Sequence, residues 1–167
     1  EGRMVVPAWP GVDGVDVIGA AAPSEGGADW LPSEAYEALR IRAGIPLMGA
    51  ELDERTIPGE TGLVPWTVSF TKGCYTGQEL VARIDSRGNR VPRRLRGLRF
   101  DGEVASGAEL LTPDGSPAGT ATSVAAQPRP ATGGTEWVGL GYVRRGVDVH
   151  EELTAAGVAV RQVELVP

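Results

Sequence analysis

The sequence predicts an α+β protein in which a short hairpin and two helices precede a small all-β barrel. Apolar residues recur at helical spacing before Gly88 and in short alternating runs after it. Turn signals divide those later runs at close intervals, the pattern of a small barrel. With 167 residues and 41% hydrophobic content the chain is long enough to bury a core. Its 24 Gly and 13 Pro fit a loop-rich protein.

In chain order, Arg3 to Trp9 reads as a strand. Pro10-Gly11-Val12-Asp13-Gly14 favours a tight reversal into a second apolar run from Val15 to Ala22. From Pro32-Ser33 the spacing becomes helical. Ser33 is the expected N-cap, Glu34 and Glu37 fall in the first turn, and Tyr36, Leu39 and Ala43 share one face. Gly44 and Pro46 stop this helix. Met48 to Pro65 reads mostly as loop, and Val64 to Phe70 as a short strand. A second helix follows Thr76-Gly77-Gln78-Glu79, which has the form of a capping box, and Leu80, Val81 and Ile84 give it a buried face.

Beyond Gly88 the expected strands are Leu95 to Phe100, Glu109 to Thr112, Gly119 to Val124, Trp137 to Val143 and Val158 to Val166. Thr112-Pro113-Asp114-Gly115 is a strong turn signal, and Val138, Leu140 and Tyr142 alternate as on a half-buried strand. The division expected is residues 1–90 and 91–167.

Charge and cysteine content narrow the function classes. The sole cysteine, Cys74, excludes an internal disulfide framework, and with one histidine the chain cannot by itself build a four-ligand zinc site or an iron-sulfur cluster, so no metal site is expected. No apolar run approaches the ~20 residues of a membrane span, and no signal-peptide core is present; a soluble cytoplasmic protein is the expectation. The net charge of −6 argues against general nucleic-acid binding.

Fifteen of the sixteen basic residues are arginine, and the single lysine, Lys72, lies two residues from Cys74. The cysteine precedes an expected helix N-terminus, and helix end and lysine both favour thiolate over thiol. Gly73 and Gly77 permit an exposed turn there. The competing reading is a small buried apolar cysteine. His150 lies in the expected barrel, so a Cys-His dyad is not supported.

Lys72-Gly73-Cys74-Tyr75-Thr76-Gly77-Gln78-Glu79, followed by Leu80-Val81-Ala82-Arg83, resembles the signature of the YgfZ-type folate-binding proteins. These are relatives of the glycine-cleavage T-protein, an aminomethyltransferase, and are implicated in iron-sulfur cluster assembly or repair. Leu39 to Glu51 resembles the helix and loop shared by both branches, and Pro58-Gly59-Glu60-Thr61-Gly62-Leu63 a turn of that superfamily. The resemblance implies a ferredoxin-like, T-protein-like folate-binding subdomain ahead of the barrel. It covers only about the C-terminal half of the family's usual length, so the first folate-binding half is expected elsewhere. Position 1 is not Met, which agrees with that.

Trp9-Pro10-Gly11-Val12-Asp13-Gly14-Val15-Asp16 resembles the T-protein segment whose last carboxylate binds the pterin ring. The resemblance implies Asp16 as the pterin-reading acid, since a carboxylate accepts two parallel hydrogen bonds, with Trp9 where the family often has tyrosine. Asp in place of Glu shortens the reach by one methylene. Arg40 corresponds to an arginine of the shared helix. It would pair either with a folate carboxylate or with Glu37 and its neighbours.

Arg83, Arg87, Arg90, Arg93, Arg94, Arg96 and Arg99 give residues 83–99 seven cations against one Asp, leaving −12 on the rest. They form either an anion site, for a polyglutamyl tail, a nucleic-acid backbone or an acidic partner, or a solvated linker. Arg83, on the helix that the cysteine motif opens, is expected near Cys74 or the pocket mouth. The leading expectation is a tetrahydrofolate-binding accessory protein, for tetrahydrofolate or a one-carbon-substituted folate. It would support iron-sulfur assembly proteins or client enzymes, tRNA-modifying ones included, with Cys74 as functional thiol. A true aminomethyltransferase is the alternative; Gly-Cys-Tyr stands against it. An RNA- or protein-binding module is third, with aromatic content of only 5%.

Overall fold

The computed structural model describes residues 4–7, 9, 13–19, 30–129 and 133–165. Strands β1 (Met4–Pro7) and β2 (Val15–Ile18) pair antiparallel, with Val5 opposite Val17 and Val6 opposite Asp16. The reversal expected at Pro10, Gly11 and Val12 lies outside the described residues.

Helix α1 spans Ser33–Arg42, but Pro32 is its N-cap and no side chain caps it; Ser33 is already helical. The expected apolar face also turns out to point away from the core. Tyr36 and Leu39 are 55% and 45% exposed, whereas Ala38 and Ile41 are buried. The barrel packs against the face that carries Ala38 and Ile41, so tertiary contact, not periodicity, selects the buried side. The helix ends as expected: Gly44 adopts φ +70, and its N–H bonds Ile41 O at 3.0 Å.

After a loop with a single 3-10 turn at Pro58–Glu60, helix α2 covers Val64–Thr67. A short strand was expected there. Pro65, whose missing N–H is harmless in a first helical turn, favours the helix instead. Helix α3 spans Gln78–Ser86. Its N-cap is Gly77, left-handed at φ 85 and without a side-chain cap, so Thr76 and Glu79 do not form a capping box. Val81 is buried as expected, but Leu80 is 41% exposed.

Six strands then close a barrel: β3 (Arg93–Phe100), β4 (Glu109–Leu111), β5 (Pro117–Pro128), β6 (Thr135–Arg144), β7 (Leu153–Ala155) and β8 (Val158–Val163), in the order β3-β6-β5-β4-β7-β8. The five strands expected from sequence all appear. The sixth, β7, is three residues long and joins β8 through Ala156 and Gly157, both at positive φ, the backbone a two-residue hairpin turn demands. The expected turn at Thr112–Gly115 is closed by Gly115 N–H to Thr112 O at 2.9 Å. Bonds from Thr112 and Ser116 hold the Asp114 carboxyl below its ordinary value.

Strand β6 organises two apolar clusters. Val138, Leu140 and Tyr142 project toward Ala38 and Ile41 of α1, together with Leu95. The alternate positions face the other cluster, where Leu98, Phe100, Leu110, Leu153 and Val160 pack. Two of those alternate positions, Gly139 and Gly141, are glycine because Phe100 and Leu98 fill the space a Cβ would need, at 2.6 and 2.7 Å. Helix α1 is therefore part of the barrel's packing although it precedes residue 90. Outside the barrel the described residues comprise one two-stranded sheet, three α-helices and the 3-10 turn. A ferredoxin-like subdomain, which requires four strands and two helices in one sheet-helix layer, is not seen among them.

Candidate functional site

The β1–β2 hairpin and the outer face of α1 enclose a cleft of ≈ 240 Å³. Trp9, Asp16 and Arg40, three of the residues singled out from sequence, line it together with Tyr36, Leu39 and Ile45. Asp16 sits on β2, opposite Val6, with its side chain exposed and no hydrogen bond to a described residue. The outward turn of Tyr36 and Leu39 acquires a purpose here, because they wall the cleft.

Arg40 reaches the same cleft from behind, yet its guanidinium is directed inward and is 3% exposed. Nε donates to Glu37 at 2.9 Å, and Nη1 donates to Ile45 O at 3.1 Å and to Glu51 at 3.3 Å. Nη2 donates to Ser123 Oγ at 2.9 Å and lies 2.7 Å from Glu37 Oε2. Burial acts to lower its pKa, but Glu37 and Glu51 outweigh burial and raise it. Of the two pairings open from sequence, the structure shows the one with Glu37.

Glu51 is the hub of this network and was not singled out from sequence as a site residue. Its carboxylate also accepts from Leu47 N–H at 2.9 Å, Thr122 Oγ at 2.7 Å and Ser123 Oγ at 2.5 Å, while its carbonyl accepts from Tyr142 Oη at 2.9 Å. Arg93 stacks 4.2 Å over the Tyr142 ring and donates to buried Glu60 at 3.0 Å. These partners lie up to 91 positions apart, so only the acidic residues punctuating the loop hinted at them.

The cysteine motif forms a separate surface loop. Cys74 is exposed, and its sulfur accepts from Gln78 Nε2 at 3.8 Å. Gln78 also accepts the Tyr75 N–H at 3.2 Å, so one side chain braces the loop at two points. Lys72 Nζ stands 5.1 Å over the Tyr75 ring. Gly73, Gly77 and Glu79 are exposed around it. Arg83 is exposed in the last turn of α3, where its carbonyl accepts from Ser86. None of the residues lining the Asp16 cleft comes from this loop or from α3.

Residues 93–164 match the family model described as CAF17, C-terminal beta-barrel domain. The chain is similar to a YgfZ-type protein over part of its length: it is 45% identical over 64 residues to the tRNA-modifying protein YgfZ of Yersinia pestis, 38% of this chain and 19% of that one. It is also 35% identical over 120 residues to a putative chloroplastic transferase of Arabidopsis thaliana, covering 71% of this chain and 26% of the relative. The matches thus span about a quarter or less of the length of these relatives. In fold, it resembles the glycine cleavage system aminomethyltransferase T of Bartonella henselae, with TM-score 0.62 and 24% identity over 78% of this chain and 37% of that one.

Proposed function

We propose that this chain is part of a cytoplasmic tetrahydrofolate-binding accessory protein that supports iron-sulfur cluster assembly or repair, and through it tRNA-modifying and other iron-sulfur enzymes. The observation that carries the folate reading is the convergence of Trp9, Asp16 and Tyr36 on one cleft with an unpartnered carboxylate. Asp16 would accept the paired N–H groups of a pterin edge, and the aromatic side chains would cover its faces. At ≈ 240 Å³ the cleft is smaller than the usual range for complete ligand pockets, so it suits a ring system and not a whole folate. A further stretch of a T-protein-like subdomain would complete it, in keeping with the chain's partial coverage of its relatives.

Cys74 serves as the functional thiol in this reading. It is exposed and held by Gln78, which suits reaction with a partner that approaches from solvent. Folate tail binding falls to cations other than Arg40, whose donors are engaged within the protein; Arg83 is free to take part. Aminomethyl transfer remains the second reading, favoured by the likeness in fold to an aminomethyltransferase. Gly73-Cys74-Tyr75 counts against it.

The test is Cys74→Ser in cells lacking the native protein. Iron-sulfur enzyme activities should fall to the level of the deletion while the purified variant melts at the parental temperature. Full activity in that variant would remove the thiol role. Asp16→Ala should weaken tetrahydrofolate binding to the full-length protein, and turnover with a lipoyl carrier and tetrahydrofolate would promote the transferase.

A further inference from the structure

Arg90, Arg94, Arg96, Arg144 and Arg145 line one cleft of ≈ 200 Å³ at the end of the barrel, and no carboxylate lines it. Two of them lie far along the sequence from the other three. The pairing of Arg93 with Arg144 in the β3–β6 register, and the bond from Arg145 N–H to Pro92 O at 2.8 Å, bring them together. Arg94 donates to Asn89 O at 2.7 Å, and Arg96 has only a loose contact, 3.7 Å, with the exposed Glu164. Arg90, Arg144 and Arg145 make no ion pair with any described residue. Five like charges around one concavity repel each other unless an anion sits among them, and in a chain of net charge −6 they are not a general surface property.

A second cleft, of ≈ 160 Å³, shares Arg94 and Arg96 with the first and is walled by Trp9 and Trp66; its two carboxylates are Glu60, which is buried and paired with Arg93, and the exposed Glu164. Trp66 is half exposed. The cationic cleft and the aromatic one thus lie side by side, with Arg94 and Arg96 between them. Planar guanidinium forks suit phosphate and carboxylate alike, and indole rings offer stacking faces.

We propose that the arginine cleft receives the oligoanionic tail of a ligand whose flat ring system lies against Trp66 in the adjoining cleft. The ligand class is a heterocycle bearing several phosphates or carboxylates, and two sources have that chemistry: a nucleoside polyphosphate and a folate with a γ-glutamyl chain. Trp9 borders both the aromatic cleft and the Asp16 cleft, but neither Asp16 nor Cys74 lines the two clefts described here, so the proposal does not rest on the reading of those two residues.

Calorimetry on the full chain with ATP against adenosine, and with pentaglutamyl against monoglutamyl folate, tests it. In one pair the tailed compound should bind at least about tenfold tighter, an advantage that declines as salt screens the exposed charges. The double variant Arg144→Ala/Arg145→Ala, at exposed positions, should erase that advantage and leave the tailless compound unaffected; Arg90→Ala serves if the double variant melts early. The pair that shows the advantage identifies the tail. Equal binding within both pairs, or an advantage that survives the variants, overturns the proposal. So does polyuridylic acid binding as tightly as the tailed compound with the same loss in the variants, which would mark a general polyanion surface. Failure of the folate reading alone would appear differently, as no folate binding alongside an intact ATP advantage.

Discussion

A guanidinium survives at 3% exposure only when its charge and its donors are both met. Arg40 achieves this through Glu37, Glu51, Ser123 and a backbone carbonyl, and Glu51 in turn takes bonds from Thr122, Ser123 and Leu47. Tyr142 closes the group by donating to the Glu51 carbonyl. Burial is the main cause that pushes its phenol from 10.0 up to about 12, with Glu60 and Glu51 adding to it and Arg93 opposing. Because the folded state holds the proton longer than the unfolded chain, stability is retained below about pH 10 and is lost as pH rises toward 12. The loss should be roughly 2–3 kcal/mol. In Tyr142→Phe that alkaline decline should vanish, at the cost of ~1 kcal/mol at neutral pH for the missing bond. Urea unfolding at pH 8 and pH 11 checks both; an equal decline in parent and variant would show that another group is responsible.

At the scale of elements, β6 depends on what its glycines leave out. Gly139 and Gly141 admit Phe100 and Leu98, and on the facing strand a Cβ on Gly119 would collide with Tyr142 O. Because that neighbour is backbone, the strand pair itself would have to separate. Gly119→Ala should therefore cost roughly 3 kcal/mol and lower the melting temperature by ~10 °C, and an unchanged midpoint in thermal unfolding would refute the close approach. The strands were legible because each alternates between turn signals, and β7 was not because three residues carry too little pattern. The helices show the converse. Periodicity located α1 and α3, but it assigned the wrong face to α1, since Tyr36 and Leu39 wall a cleft while Ala38 and Ile41 meet the barrel. Gly77 takes the N-cap of α3 by backbone geometry, a role the capping-box pattern had assigned to Thr76.

Across the whole molecule, α1 and the loop after it pack on the barrel through Leu95, Val138, Leu140 and the Glu51 network. Removing residues before 91 would uncover that apolar face and leave Thr122 and Ser123 without Glu51. Residues 91–167 alone should accordingly melt well below residues 30–167, or fail to unfold in a single transition. Identical melting of the two by circular dichroism would show the barrel to be independent of α1. The sequence by itself determined five of the barrel's six strands, the pairing of the two strands before α1 and the family likeness, because each is encoded in a contiguous run of residues. Tertiary structure alone decided that Arg40 is buried against Glu51, that Trp9 and Asp16 share a cleft with Tyr36, and that Arg144 and Arg145 join the linker arginines. Those groupings depend on strand register and on the seating of α1, which place side chains from distant positions within bonding distance.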